Sequence, residues 1–133
     1  MSDEPRIVAA DGLFTPEIKR HSLEKIRLHN RIAGIFSTAM RGKWPQLAYV
    51  GLYSGAGHAR LADSNQVVET SALSVLRQTH PFTDYIYVDR DEACVNALRT
   101  RVEPLTRGAR VTILHADVND SPDWRLDRLP DVA

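Results

Sequence analysis

The sequence predicts an α/β fold built on a parallel β-sheet, and three observations support this prediction. Helical and strand-like patterns alternate along the chain, in the order helix, strand, helix, strand, helix, strand. The first strand, Leu47–Tyr53, is a nearly unbroken apolar run, as is typical of a parallel strand covered on both faces. It leads directly into Ser54–Gly57, a turn with two glycines. Because parallel neighbours need a long connection, which a helix supplies, this alternation favours a parallel sheet with crossover helices.

The first helix is predicted to begin at Thr15, a good N-cap residue, with Pro16 at the first helical position. Gly42 is expected to end it. Its apolar residues recur at the three- and four-residue steps of a helix: Leu28, Ile32, Ile35, Phe36, Ala39 and Met40. Residues 1–14 are expected to form a flexible tail, and residues 15–133 a partial α/β domain.

The later elements continue the alternation. Ser71–Thr79 is predicted to be a short helix, and Tyr85–Val88 a second strand because it is rich in β-branched and aromatic residues. The next helix ends at Gly108 and has one apolar stripe, formed by Cys94, Val95, Leu98, Val102 and Leu105. Arg110–His115 is the third predicted strand, and Ser121–Pro130 contains a further short helical pattern.

Composition and charge favour an ordinary soluble, cytoplasmic protein. Of the 133 residues, 43% are hydrophobic and 26% are charged, which argues against wholesale disorder. The 17 basic and 17 acidic residues cancel, so net charge provides no field for capturing nucleic acid. A single cysteine, Cys94, excludes an internal disulfide and fits a reducing compartment. The N-terminus lacks the pattern of a signal peptide, and the longest apolar run is too short to span a membrane.

Three candidate ligand-binding features lie at the carboxyl ends of the three predicted strands: the Ser54–Gly57 turn, Asp89 and Asp117. In open α/β sheets, ligands bind in the crevice beyond these ends. Gly55 and Gly57 allow the backbone to turn sharply and to approach a ligand closely. A carboxylate after the second strand suits the two hydroxyls of a ribose, and one after the third can reach the exocyclic amine of adenine. Together they predict a nucleoside pocket.

Each feature also has a purely structural interpretation. The glycine pair can be a tight connection, Asp89 can cap the helix that begins near Asp91, and Asp117 can form a turn. Among nucleotide cofactors, a dinucleotide fits poorly, because Arg60 stands at the third glycine position of the Gly-x-Gly-x-x-Gly fingerprint. A phosphate-binding P-loop is excluded, since no Gly-Lys-Ser/Thr follows the turn. S-adenosylmethionine fits better, because it has no pyrophosphate to bind.

Several motifs occur in the order found in a known family. Tyr49–Gly57 resembles the Y-I-D-G-F-A-G-P-G signature of the three-Cys-motif partner proteins (TcmP), which are predicted methyltransferase-like proteins of bacteria. Thr70–Leu73 is similar to the family's G-S-P-L, and Val88–Asp91 resembles its I-E-x-D. Val111–Asn119 resembles its V-x-x-x-x-G-D-x-N, and the helix around Lys25–Phe36 resembles its Lys-containing leading helix.

The resemblance implies a Rossmann-like, S-adenosylmethionine-dependent methyltransferase-type parallel sheet. The chain then corresponds to the N-terminal portion of such a domain, truncated after the third strand. The implied cofactor is S-adenosylmethionine, and the candidate cofactor-binding residues are Tyr53, Ser54, Gly55, Gly57, Asp89, Arg90 and Asp117. No catalytic residue is assigned, because the family's D-P-F/Y-G loop would follow the last residue, Ala133.

One departure supports a second hypothesis. Gly51 stands where the family has the aspartate that lies near the cofactor's amino-acid end in related methyltransferases. Together with the missing catalytic loop, this favours a non-catalytic protein-interaction module that partners a three-cysteine-motif protein.

The remaining predictions about ligands and partners depend on other residues of the sequence. The five histidines lack paired metal-ligand spacing, so no metal site is predicted. The first helix is basic on one side, which usually indicates a solvated face and less often a nucleic-acid contact: Lys19, Arg20, Lys25, Arg27 and Arg31. Leu47–Tyr53 is expected to form an open sheet edge without charge or proline, which predicts self-association through this strand.

Overall fold

The computed structural model of the chain describes residues 3–119. The seven strands and three α-helices of these residues are, in chain order, β1 (Ile7–Val8), β2 (Glu17–Ile18), α1 (Ser22–Met40), β3 (Ala48–Leu52), β4 (His58–Leu61), β5 (Val67–Glu69), α2 (Ser71–Ser74), β6 (Asp84–Asp89), α3 (Glu92–Val102) and β7 (Arg110–His115). Short 3₁₀ turns, Val75–Arg77 and Glu103–Leu105, extend α2 and α3. The helical pattern predicted within Ser121–Pro130 lies outside the described residues.

The parallel sheet predicted from the sequence is confirmed. It has three strands in the order β3-β6-β7, and both pairs are parallel. The central strand β6 is buried along almost its whole length, as its aromatic and β-branched residues require. β3 forms one edge of the sheet, because β6 and β7 both lie on the same side of it. The fold class is therefore mixed α/β with a parallel sheet.

A second, four-stranded sheet was not predicted. Its order is β1-β5-β4-β2, in which β4 and β5 form an antiparallel hairpin and β2 runs parallel to β4. The hairpin turns at Asn65, whose φ is +59°, in the left-handed region that asparagine tolerates better than most residues. The strands have four and three residues, too short for a clear alternation of polar and apolar side chains.

This second sheet corrects two predictions about the N-terminal segment. Residues 1–14 were expected to form a loose tail, yet β1 pairs antiparallel with β5. The first helix was expected to begin at Thr15, yet β2 pairs with β4 and α1 begins at Ser22. The Thr15 hydroxyl donates to the Leu13 carbonyl instead of capping a helix. Strand pairing has overridden a local capping signal, whereas the end of the helix before Gly42 is confirmed.

The main core lies between the parallel sheet and the three helices. Tyr85 and Tyr87 are almost fully buried on β6, and each hydroxyl has a backbone partner. The helix face that α1 buries differs from its most apolar stripe, since its buried residues are Leu23, Ile26, Asn30, Ala33 and Ser37. Leu28, Ile32 and Phe36 are instead 57%, 57% and 45% exposed.

Candidate functional site

The glycine turn leaves β3 through a backbone conformation that few side chains adopt. Tyr53 has φ +57°, and the Ser54 N–H then donates to the Val88 carbonyl of β6 at 3.1 Å. Gly55 follows with φ +74°, and a side chain built there would meet nothing within 4 Å. Gly55 is therefore required by its backbone angle alone, and it leaves open space beside the turn.

At Gly57, close packing as well as the backbone angle requires glycine. Its φ is +90°, and an added Cβ would lie 3.1 Å from Leu73 Cγ and 3.2 Å from Leu98 Cδ1. The second glycine of the turn therefore permits close packing of α2 and α3 around it, and the residue is buried. Of the two glycines predicted to approach a ligand, Gly55 is the one that faces open space.

Asp89 connects the glycine turn to the neighbouring strand. Its Oδ2 accepts the Gly55 N–H at 2.9 Å, and its Oδ1 accepts the Asp91 N–H at 2.8 Å. The N-cap of α3 is Asp91, whose side chain accepts the Ala93 N–H at 3.0 Å. A carboxylate has about four acceptor sites, so two backbone donors leave Asp89 able to accept two more hydrogen bonds.

The loop after β7 reaches the same edge of the sheet. Asp117 Oδ1 accepts the Asn119 N–H at 2.9 Å, which is a turn-forming bond. The Asn119 side-chain amide lies 3.5 Å from the Tyr53 hydroxyl, at the limit of a hydrogen bond. Tyr53 itself is 66% exposed. The loops after β3 and β7 thus meet in front of the carboxyl end of β6.

Arg90 is exposed, and its backbone carbonyl accepts a hydrogen bond from His115 Nε2 at 2.9 Å. The Ala116 N–H also donates to the Asp89 carbonyl at 3.0 Å. These two bonds tie the end of β7 to the end of β6. The structure therefore brings Tyr53, Ser54, Gly55 and Asp89 together, while Arg90 contributes through its backbone.

A small cavity of about 250 Å³ adjoins the turn on the side of α1 and α2. Within it, the Ser54 hydroxyl is buried and has no hydrogen-bond partner. His29 Nε2 and the Tyr49 hydroxyl, on its wall, lie 2.7 Å apart. Burial lowers the pKa of His29 and raises the pKa of Tyr49 to about 12. The pair is therefore neutral at pH 7, and sequence analysis did not identify it.

Gly51, on the wall of the same cavity, stands where the signature of the three-Cys-motif partner proteins has an aspartate. An added Cβ there would lie 3.2 Å from both Tyr49 Cε1 and Tyr87 Cδ1. The two tyrosine rings thus fill the space that a side chain at this position would use. The difference from the family's motif involves packing as well as charge.

A second polar cluster, also missed by sequence analysis, holds the N-terminal segment against α3. The buried Arg101 guanidinium pairs with both oxygens of Asp11 at 2.7 and 2.9 Å. It also donates to the carbonyls of Leu13, Phe14 and Ala56, so its donors are satisfied within the protein. The hydrogen bonds from Arg101 hold the pKa of Asp11 well below its usual range.

His58 lies beside this cluster. Its Nδ1 is 3.5 Å from Asp11 Oδ2 and has no hydrogen-bond partner, although the side chain is only 10% exposed. Burial, reinforced by the positive charge of Arg101, lowers the pKa of His58. Nearby, Glu69 is buried and forms a two-oxygen ion pair with Arg77. A neutral histidine therefore lies beside two ion pairs, Asp11–Arg101 and Glu69–Arg77.

The basic face of the first helical region is largely neutralised. Arg20 pairs with Asp63 at 2.6 Å, and Arg31 pairs with Asp3 at 3.0 Å. Arg27 pairs with Glu4 at 2.7 Å. Three of the five basic side chains on this face therefore have acidic partners, which weakens the positive potential that nucleic-acid binding requires.

Cys94 packs in the interior, as its position on the apolar stripe predicted. Burial raises the pKa of its thiol to about 11, so the reactive thiolate is scarce at neutral pH. Among the residues that the structure describes, no group of three or more His, Cys, Asp or Glu side chains is arranged to hold a metal ion.

Comparisons with known proteins give no relative. No protein-family model matches the chain, and no curated protein or solved structure matches it significantly. Within residues 3–119, none of the helices combines the length and the apolarity that crossing a membrane demands.

Proposed function

We propose that the chain is an S-adenosylmethionine-binding, methyltransferase-like protein of the three-Cys-motif partner type, with the cofactor at the carboxyl ends of β3, β6 and β7. The observation that carries the proposal is the contact between Asp89 and the Gly55 N–H at 2.9 Å. It joins a glycine turn on one parallel strand to an acid on the next. The carboxyl ends of such neighbouring strands border the crevice in which open α/β sheets bind nucleotides.

The chemistry of the crevice matches the parts of the cofactor. Asp89 accepts hydrogen bonds from the two ribose hydroxyls, using the acceptor sites that Gly55 and Asp91 leave free. The open space beside Gly55 admits the ligand close to the backbone. The free Ser54 hydroxyl offers one further donor and acceptor, and the Tyr53 ring flanks the entrance. Asp117 is the candidate partner of the adenine amine.

The element that follows the turn supports this ligand over a dinucleotide. A dinucleotide places its pyrophosphate on the N–H groups at the start of a helix directly after the glycines. Here Gly57 leads into β4, the first strand of the hairpin, and α2 begins only at Ser71. The turn therefore lacks the helix N-terminus that a pyrophosphate requires.

Titration calorimetry with S-adenosylmethionine and S-adenosylhomocysteine tests the proposal. We expect binding in the micromolar range or weaker. Asp89→Asn retains the size of the side chain but not its charge, and it should weaken binding by about 1.5–3 kcal/mol, the value of a hydrogen bond to a charged group. Asp63→Asn, a change of the same kind far from the crevice, is the control. No heat with either ligand on folded protein, or equal affinity in Asp89→Asn, would contradict the proposal.

A second candidate function is a non-catalytic module that binds a three-cysteine-motif protein. The packing of Tyr49 and Tyr87 against Gly51 favours it, because no acid can be accommodated there without moving a ring. This hypothesis predicts binding to a purified three-cysteine-motif protein in the absence of any cofactor. Binding that requires S-adenosylmethionine would contradict it.

A further inference from the structure

An exposed apolar face lies along one side of the molecule. On α1 it contains Leu28, Ile32 and Phe36, and the adjoining edge strand β3 exposes Val50 and Leu52, by 40% and 43%, on the sheet face opposite Tyr49. A groove of about 520 Å³ runs between the helix and the strand, and its walls are almost entirely apolar. Isolated exposed apolar side chains are normal, but a contiguous set marks an interaction surface.

The strand beside this groove has a free edge. Within residues 3–119, no strand pairs with β3 on the side away from β6. The Leu47 carbonyl accepts hydrogen bonds from Thr83 and Asp84, and so points toward β6. Backbone groups alternate in direction along a strand, so those of Ala48, Val50 and Leu52 point to the free edge.

We propose that this face is the contact between two copies of the chain. The two β3 strands pair antiparallel about a twofold axis at Val50, which joins the two parallel sheets into one of six strands. Ala48 of each copy then lies opposite Leu52 of the other. The α1 helices cross on the same side of the sheet, with Ile32 near the axis.

The chemistry of the face favours a second copy as its occupant. An antiparallel pair of identical strands is self-complementary, so one surface satisfies both partners. The run from Leu47 to Tyr53 has none of the charges or prolines that protect natural sheet edges. The net charge of zero also removes long-range repulsion between copies.

The exposed area of this face approaches the size of a standard dimer interface. Besides the five residues already named, Tyr53 at the end of β3 is 66% exposed. The six side chains together offer on the order of 600 Å² per copy, before any backbone is counted, against the roughly 800 Å² per partner of a standard stable interface.

Sedimentation of the full 133-residue chain at about 1–100 µM measures the association. We expect a dimer. Ile32→Glu should raise its dissociation constant roughly tenfold or more, because the change places two carboxylates near the twofold axis. Ile7→Glu, at an isoleucine that is 67% exposed on the other sheet, is the matched control and should leave the dimer intact. A folded monomer throughout this range, or a dimer unaffected by Ile32→Glu, would overturn the proposal.

A crosslink tests the strand pairing separately. In the predicted register the two Val50 Cα atoms are about 5.5 Å apart, which is within disulfide range. Val50→Cys in a Cys94→Ser background should therefore form a disulfide-linked dimer on mild oxidation. Ala62→Cys, at an exposed position on the hairpin, should not. Equal crosslinking of the two variants would overturn the register.

Discussion

The Arg101 cluster and the glycine turn differ in how far their hydrogen-bonding groups are satisfied within the protein. The Arg101 guanidinium is buried and fully engaged by Asp11, Thr15 and backbone carbonyls, although Nδ1 of the neighbouring His58 has no partner. Beside the parallel sheet, the Ser54 hydroxyl has no partner and Asp89 retains unused acceptor sites. A site whose donors are satisfied within the protein holds the fold together. A site with unused groups is where a ligand can bind.

The largest effect is expected from Arg101→Met. Removing this side chain leaves Asp11 and the carbonyls of Leu13, Phe14 and Ala56 without their donor. Breaking a buried ion pair on one side typically costs about 3–5 kcal/mol. Urea denaturation should therefore show a loss of this size in the unfolding free energy, whereas Arg20→Met, at an exposed ion pair, should change it little. Similar losses in both variants would show that the cluster has no special structural role.

Alanine substitutions at the two glycines of the turn, Gly57 and Gly55, should destabilise the fold by different amounts. Gly57→Ala combines a left-handed φ with contacts of 3.1–3.2 Å to Leu73 and Leu98, so we expect a loss of about 2–4 kcal/mol. Gly55→Ala involves only the φ penalty of about 1–2 kcal/mol, because nothing lies within 4 Å. Thermal and urea melts of the two variants measure the difference. A larger loss for Gly55→Ala would reverse the assigned roles.

A smaller loss is expected from Tyr87→Phe. The buried Tyr87 hydroxyl donates to the Ala72 carbonyl at 2.7 Å, which joins β6 to α2. A neutral hydrogen bond of this kind contributes about 0.5–1.5 kcal/mol. The unfolding free energy should fall by that amount, while ligand binding at Asp89 remains unchanged. A change in ligand affinity without a loss of stability would place Tyr87 in the binding site instead.

The smallest effect concerns pH. Burial lowers the pKa of His58 below its unfolded value of 6.5, so the unfolded chain binds a proton more readily than the folded one. The unfolding free energy should therefore decrease as the pH falls below about 6.5. Asp11, with its lowered pKa, adds a separate loss only below its unfolded value of 3.8. Denaturation of His58→Gln between these two values should show a weaker pH dependence, and His29, whose pKa is also lowered by burial, should account for part of what remains. An unchanged slope would contradict the assignment.

The elements that the sequence predicted are those whose signals are local and repeated. Leu47–Tyr53 and Tyr85–Val88 have unbroken apolar or aromatic character, and they form neighbouring parallel strands. The helix α1 was predicted from the spacing of its apolar residues, but three of these residues, Leu28, Ile32 and Phe36, lie outside the core. Periodicity shows that a helix is amphipathic without showing which partner its apolar stripe contacts.

The parts that were missed depend on contacts between distant residues. The pairing of β1 with β5 joins segments about sixty residues apart, and Arg101 bonds Asp11 across 90 residues. Nothing local distinguishes Arg101 from Arg99, the other basic residue of α3. At the candidate site, the sequence predicted that Gly55 and Asp89 share one edge of the sheet. The direct bond between them, and the packing role of Gly57, required the structure.

The central claim is that a nucleoside cofactor binds where the glycine turn meets Asp89. Amide chemical shifts of the ¹⁵N-labelled chain, recorded with increasing S-adenosylhomocysteine, test it most directly. We expect saturable shifts at the amides of Gly55 and Asp91, which now donate to Asp89, and at Asn119, with little change at Ile32. Shifts confined to the apolar groove around Ile32, or the absence of any saturable shift in folded protein, would contradict the account.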